Sequence, residues 1–321
     1  MARWAGDMAG PASSGDRGGG ELGAAKLPDA VVTMAVFPAE IDLATLDGTN
    51  GFVLDGIDAY DQSGFAVSSA GDINGDGFDD IIISSRYDEP ATSRYTGESY
   101  VLFGKAGGFA SFIELATLDG SNGFRVEGIG FVDYSGVAVS SAGDLNGDGF
   151  DDILIGSLNA GNTDDSYVIY GRAPDEAVTR VGSAADQTIR GGDFDDTLRG
   201  KQGDDTLAGG DGRDSLFGGQ GADNFVLASR DASDADKIRD FGRGDDRIAL
   251  DGGVFGLAEG DLAAKRFTIG EAAADASDRL IYDDMTGNLF FDADGTGTQD
   301  QILIATLTGA PVLAASDLVV I

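Results

Sequence analysis

The chain has 321 residues, with 21 Lys and Arg against 56 Asp and Glu, a formal net charge of −35, and neither cysteine nor histidine. So acidic a chain excludes nucleic acid, which needs a basic footprint, and offers no disulfide, thiolate, histidine general base or histidine-bound zinc. Fifty-one glycines with only six prolines point to turn-dense β-structure, because glycine adopts positive φ without steric cost, and no apolar run reaches membrane-spanning length.

Residues 1–36 are rich in Gly, Ala, Ser and Asp and read as a disordered leader. They lack the hydrophobic stretch of a secretory signal peptide, so export would use a signal elsewhere. From Ile41 the chain repeats itself: IDLATLDGTNGFVLDGIDAYDQSGFAVSSAGDINGDGFDDIII recurs from Ile113 as IELATLDGSNGFRVEGIGFVDYSGVAVSSAGDLNGDGFDDILI. Each copy holds short β-type runs, such as GFAVSS, DIIIS and SYVLF, between Gly and Asp turns. About four strands per copy is the content of one propeller blade, which predicts two propeller-like blades over 37–172.

Each copy carries one acidic loop. The first runs Asp72, Asn74, Asp76, Phe78, Asp80 at alternate or near-alternate positions, and the second runs Asp144, Asn146, Asp148, Phe150, Asp152. Side-chain oxygens at loop positions 1, 3, 5 and 9, with the position-7 carbonyl of Phe78 or Phe150, can converge on one hard cation, and glycine at position 6 allows the sharp turn. Position 12 is Ile83 or Ile155 rather than Glu, and a β-branched run follows. That excludes an EF-hand. The alternative is a plain Asn-Gly/Asp-Gly hairpin turn.

Residues 173–182 read as a polar linker. A nine-residue period follows from Gly191: GGDFDDTLR, GKQGDDTLA, GGDGRDSLF, GGQGADNFV. This is the G-G-x-G-x-D-x-U-x pattern of a calcium-binding parallel roll, with U a large apolar residue. Two repeats make one coil, which sets Asp196 over Asp214 and Asp205 over Asp223 and turns Leu198, Leu207, Leu216 and Phe225 inward. Gln187 and Ile189 fit the period with Gln in place of Asp, and Phe194 and Lys201 stand at glycine positions. The roll is expected over 183–235. Mixed β-type runs with a short helix around 259–267 fill 236–321, where Asp292, Asp294 and Asp300 form either one more cation site or a surface turn.

The blade loops, preceded by SGFAVSSAGD and SGVAVSSAGD, resemble the FG-GAP repeats of integrin α-subunit propellers, whose loop binds Ca²⁺. The match departs at the "GAP" segment, where this chain has SSR or GSL. The nonapeptides resemble RTX repeats. DKIRDFGRGDDRIAL from Asp236 and the stretch from Arg279 to the end resemble the C-terminal region of serralysin-type secreted proteins. That resemblance implies an uncleaved signal for type I export, with Asp317-Leu-Val-Val-Ile321 at its end.

The sequence thus predicts an all-β chain of two propeller-like blades, a parallel β-roll and a C-terminal β-rich secretion domain, secreted and folded by extracellular Ca²⁺. Its expected partners are calcium ions, the type I secretion machinery and a protein or glycan surface ligand in adhesion. A histidine-dependent protease or lipase is excluded, and no G-x-S-x-G elbow is present. A two-carboxylate glycosidase and a shortened, non-catalytic relative of a larger RTX protein are the alternatives. Two blades cannot close a propeller, which needs about four, so the blades must form a homo-oligomer, dock on the roll, or be marginally stable.

Overall fold

A computed structural model describes residues 38–87, 95–130, 132–158, 164–242 and 245–321; the leader reading of 1–36 lies outside them. The chain divides into two units, Met1–Thr45 and Leu46–Ile321. The first contributes one 3₁₀ turn, Leu43–Thr45, in which the Asp42 carboxylate accepts the Ala44 N–H at 3.0 Å.

The second unit opens with β1 (Val53–Asp55), β2 (Ser63–Gly71), β3 (Asp80–Ser85), β4 (Glu98–Leu102), β5 (Phe112–Glu114), β6 (Gly123–Glu127), β7 (Ala138–Gly143), β8 (Asp152–Ser157) and β9 (Asp165–Ile169). Strands 2, 3, 4 and 6 form one antiparallel sheet in that order, and β7, β8 and β9 form another. The first blade therefore takes its outermost strand from the second sequence repeat. The second blade has three strands among the described residues, one fewer than expected. β1, the first repeat's counterpart of β6, pairs in parallel with β5 instead. The apolar runs 81–83 and 153–155, rich in β-branched isoleucine, cross the sheet centres, and Ile82, Val101, Ile153 and Ile155 close a core between the blades with Phe124, Val139 and Ile169 against it.

Next come β10 (Thr179–Val181), β11 (Thr188–Gly192), β12 (Thr197–Gln202), β13 (Thr206–Gly210), β14 (Ser215–Gln220), β15 (Asn224–Leu227), β16 (Asp236–Ile238), β17 (Arg247–Leu250) and a short helix α1 (Gly252–Phe255). β18 (Gly260–Asp261), β19 (Phe267–Ile269), β20 (Leu280–Asp283), β21 (Asn288–Phe291), β22 (Ile302–Leu307) and β23 (Leu318–Val320) complete the chain. From β10 to β17 successive strands alternate between two sheets, with parallel neighbours two repeats apart: Leu198 lies beside Leu216, and Leu207 beside Phe225. Ile189, Leu207, Phe225, Ile248 and Leu318 form one inward column. Leu198, Leu216, Ile238 and Leu307 form the facing one. This is the β-roll that the nonapeptide period predicts.

Three sequence expectations need correction. β10 belongs to the roll, so the end of the stretch read as a linker is its first strand; Val181 pairs with Arg199. β16, β17, β22 and β23 continue both roll sheets, so 236–321 shares one core with the roll. The helix expected at 259–267 is absent. Its residues form β18, a 3₁₀ turn (Ala264–Arg266) and the start of β19, because Gly260 and Asp261 pair with Val320 and Val319. The helix lies earlier, capped by Asp251, which accepts the Val254 N–H at 2.9 Å, and ended by Gly256 in the left-handed region at φ 65°.

Candidate metal centre

In the roll the aspartate before each strand's inward apolar residue stacks on the aspartate one coil on. Asp214 Oδ1 accepts the Asp196 N–H at 2.7 Å, and Asp223 Oδ1 accepts the Asp205 N–H at 2.9 Å. The same step repeats from Val178 to Asp196 at 2.7 Å and from Gln187 to Asp205 at 2.9 Å. It continues from Asp214 to Asp236 and from Asp223 to Asp246, both at 3.0 Å. One carboxylate oxygen per rung thus stitches coil to coil. The other oxygen of Asp196, Asp205, Asp214 and Asp223 is buried and has no hydrogen-bond partner. A buried anionic oxygen left bare is costly, and two stacked pairs of them, Asp196 with Asp214 and Asp205 with Asp223, suit a cation.

The surroundings fit calcium. Each bare oxygen faces a glycine of its own repeat, at 191, 200, 209 and 218, and a Cβ on any of these would collide with it. The carbonyls of Gly209 and Gly218 line the cradles at Gly191 and Gly200. Carboxylate plus backbone carbonyl is the all-oxygen donor set that a hard cation such as Ca²⁺ takes. Lys201 keeps the turn despite its side chain, adopting φ 86°, and the carbonyls of Phe194 and Lys201 still stack beneath Gly212 and Gly219.

Sequence reasoning missed two rungs and one cation. Asp236-Lys-Ile238 and Asp246-Arg-Ile248 repeat the D-x-U signal outside the nonapeptide period. Asp246 is closed internally, because its second oxygen takes the Gly242 N–H at 2.8 Å. Arg180 stands beside Leu198 at the head of a leucine column, only 8% exposed. Its Nη2 donates to the Asn74 carbonyl at 2.7 Å, and its charge lies near Asp76, Asp72 and Asp196. The guanidinium caps the open end of the roll and ties it to the first blade loop. Gln187 and Arg190 add to this seam, donating to the carbonyls of Gly77 and Gly75 at 2.5 and 2.9 Å.

The two blade loops share one internal pattern. Asp72 accepts the N–H groups of Gly75, Asp76 and Gly77 at 2.7–2.9 Å, and Asp144 those of Gly147, Asp148 and Gly149 at 2.6–3.1 Å. Asn74 and Asn146 hold the next turn through the N–H groups of Asp76 and Asp148. Asp76 and Asp148 hold the N–H groups of Phe78 and Phe150, both at 3.0 Å. Asp80 takes the Ile73 and Gly104 N–H groups, and Asp152 those of Leu145 and Gly171. Among the described residues no three acidic side chains gather close enough to hold a metal by themselves. A cation here would draw on Asn74 or Asn146 and on backbone carbonyls as well. The first loop is wedged against the second, since Asp72 donates its N–H to Asp151 Oδ2 at 2.9 Å.

Of the remaining acids, Asp292 caps a turn by accepting the Asp294 and Gly295 N–H groups. Asp294 Oδ1 is buried without a partner. Asp300 is exposed.

Burial dominates the protonation of these groups. It pushes Asp214 up to about 7 and Asp223 up to about 6, with neighbouring aspartates adding to the rise. Asp196 and Asp205 are raised for the same reason. In the blade, burial lifts Asp80 to about 7 and raises Asp72 and Asp76. A carboxylate whose folded pKa lies above its unfolded value stabilises the fold below the unfolded value, and that stability is lost as pH rises through the folded one. Without calcium, the roll is therefore expected to keep more of its structure near pH 4.5 than at pH 8, the change falling between about 4 and 7. Calcium must displace those protons, so its apparent affinity should fall over the same range as pH drops. Far-UV circular dichroism in chelator across that range checks the first, and a β-signal that rises with pH would contradict it.

The RTX calcium-binding nonapeptide repeat matches this chain in four copies over residues 182–225, and the FG-GAP repeat matches at 63–102 and 135–170. Integrin alpha pat-2 of Caenorhabditis elegans is 33% identical over 109 residues, 33% of this chain and 8% of that protein. Integrin alpha-2 of Mus musculus is 32% identical over 95 residues, 30% and 7% respectively. The chain thus spans less than a tenth of the length of these curated relatives. The solution structure of the AlgE6R3 subunit from the Azotobacter vinelandii mannuronan C5-epimerase is 29% identical, covering 46% of this chain and 82% of that one at a TM-score of 0.31. The chain carries two FG-GAP repeats followed by RTX calcium-binding nonapeptide repeats, both of them repeat and binding types.

Proposed function

We propose that this is an extracellular protein whose roll is folded by calcium held at Asp196, Asp205, Asp214 and Asp223, with further ions at the loops of Asp72–Asp80 and Asp144–Asp152. The observation that carries the reading is the two stacked pairs of buried carboxylate oxygens with no partner. On this reading the chain leaves the cell unfolded, by one-step export directed by its C-terminal segment. That segment supports the order of events: Leu318 and Val320 are buried in β23, so Asp317–Ile321 is legible to an export machinery only before folding. The blades serve adhesion to a protein or glycan surface.

Equilibrium dialysis against radiocalcium tests the site. The quadruple variant Asp196→Asn, Asp205→Asn, Asp214→Asn, Asp223→Asn keeps an oxygen for each rung N–H but replaces the bare one with an amide. It is expected to lose the roll's ions and retain those of the blade loops. Unchanged stoichiometry would sink the assignment.

A further inference from the structure

The first blade is complete because β6, from the following repeat, adds to β4. Val101 lies opposite Phe124 and Ser99 opposite Val126. The Phe103 and Gly128 N–H groups extend the same ladder to Asn122 and Gly97, which places residues 122, 124, 126 and 128 on the edge facing β4. The equivalent strand of the second blade is β9, where ESYVLFG at 98–104 becomes DSYVIYG at 165–171. Among the described residues no further strand pairs with β9. Ser166, Val168 and Tyr170 stand where Ser99, Val101 and Phe103 do, and Val168 and Tyr170 are 43% and 57% exposed.

The missing strand exists in the chain, at the wrong end for its own second blade. GFVLDG at 51–56 is the counterpart of GFRVEG at 123–128. Among the described residues its strand β1 pairs along one edge only: the Val53 N–H reaches the Ser111 carbonyl at 3.0 Å in the parallel pairing with β5. Residues alternate in direction along a strand, so Phe52 and Leu54 present their backbone groups on the opposite edge. That edge matches the one by which Phe124 and Val126 bind β4. The blade surfaces agree with the edges. Leu154 and Val168 are the counterparts of Ile82 and Val101, which are fully buried between the blades, yet they are 37% and 43% exposed.

We propose that β1 of a second copy completes the second blade, joining copies head to tail. The joint is antiparallel, with Leu54 of the added copy opposite Ser166, Val53 opposite Tyr167 and Phe52 opposite Val168. These residues contribute two blades per copy, so two to four copies of them supply the about four to eight blades of an ordinary propeller. An unpaired strand edge is a template for such addition, and here the chain supplies a strand of matching sequence. The joint does not depend on which residues hold calcium.

Cross-linking tests the register, helped by the absence of any native cysteine. Val53 and Tyr167 would form a non-hydrogen-bonded pair, whose Cα separation of about 4.5 Å suits a disulfide. Val53→Cys mixed with Tyr167→Cys in saturating calcium should oxidise to a covalent dimer as the dominant product. Val53→Cys mixed with the control Met285→Cys, at an exposed turn, should not. Adding Val168→Pro to the Tyr167→Cys chain should abolish the dimer, because proline blocks the edge without removing a bond inside the blade. Equal cross-linking in both mixtures, or a wild-type chain that sediments as a monomer at every concentration, would overturn the proposal.

Discussion

Gly209→Ala is expected to empty the central rung of the roll and lower its melting temperature in calcium by on the order of 10 °C. A Cβ at this position collides with Asp214 Oδ2 and meets Asp214 Cβ at 2.8 Å. Asp214 cannot retreat, since its backbone N–H is bound to Asp236 and its Oδ1 to Asp196. Overpacking of this kind costs about 1–3 kcal/mol, and an ion held at about a hundred times its Kd contributes about 2.7 kcal/mol more. The sum is a large share of the roughly 5–15 kcal/mol that holds an ordinary domain. Gly192→Ala is the control, because a Cβ there meets nothing closer than 3.3 Å. Thermal melting with and without calcium reads both. A Gly209→Ala protein as stable as Gly192→Ala, with its full complement of ions, would count against the cradle.

Removing calcium altogether should have a larger effect. The coils between β11 and β15 bury one large apolar side chain per repeat: Ile189, Leu198, Leu207, Leu216 and Phe225. Against this thin core stand the bare oxygens of Asp196, Asp205, Asp214 and Asp223. In a chain of net charge −35 little else offsets their repulsion. Arg180 supplies one fixed positive charge at the head of the column, and on the proposed reading ions supply the rest at the inner rungs. Four sites at about 2.7 kcal/mol each amount to roughly 11 kcal/mol, comparable to a whole domain's stability. The coils are expected to melt in chelator and to re-form on calcium.

The parts of this structure that were legible in the sequence are those set by local repetition. A strict nine-residue period fixes which residues turn inward, so the stacking of Asp196 on Asp214 and of Leu207 on Phe225 followed from spacing alone. The blade loops were readable as tight acidic turns, because Asp-x-Asn-x-Asp binds its own backbone. What escaped was set by distant partners. Nothing near Arg180 marks it as the cap of a leucine column, since its neighbours at Asn74 and Asp76 lie over a hundred residues away. The sequence repeat and the structural blade are out of phase, so the origin of β6 in the next repeat was not visible from strand counts. β10 lacks the Asp and Gly of the period and passed for a linker. The segment at 259–267 is not helical because Gly260 and Asp261 pair with β23 and Phe267 with β20, contacts no local pattern announces.

Far-UV circular dichroism of the calcium-free protein during a calcium titration, with magnesium as control, tests the central claim most directly. A cooperative gain of β-signal with calcium and none with magnesium is the predicted result. A β-signal already complete in chelator would contradict it, because the roll would then stand with its four buried carboxylate oxygens unpaired.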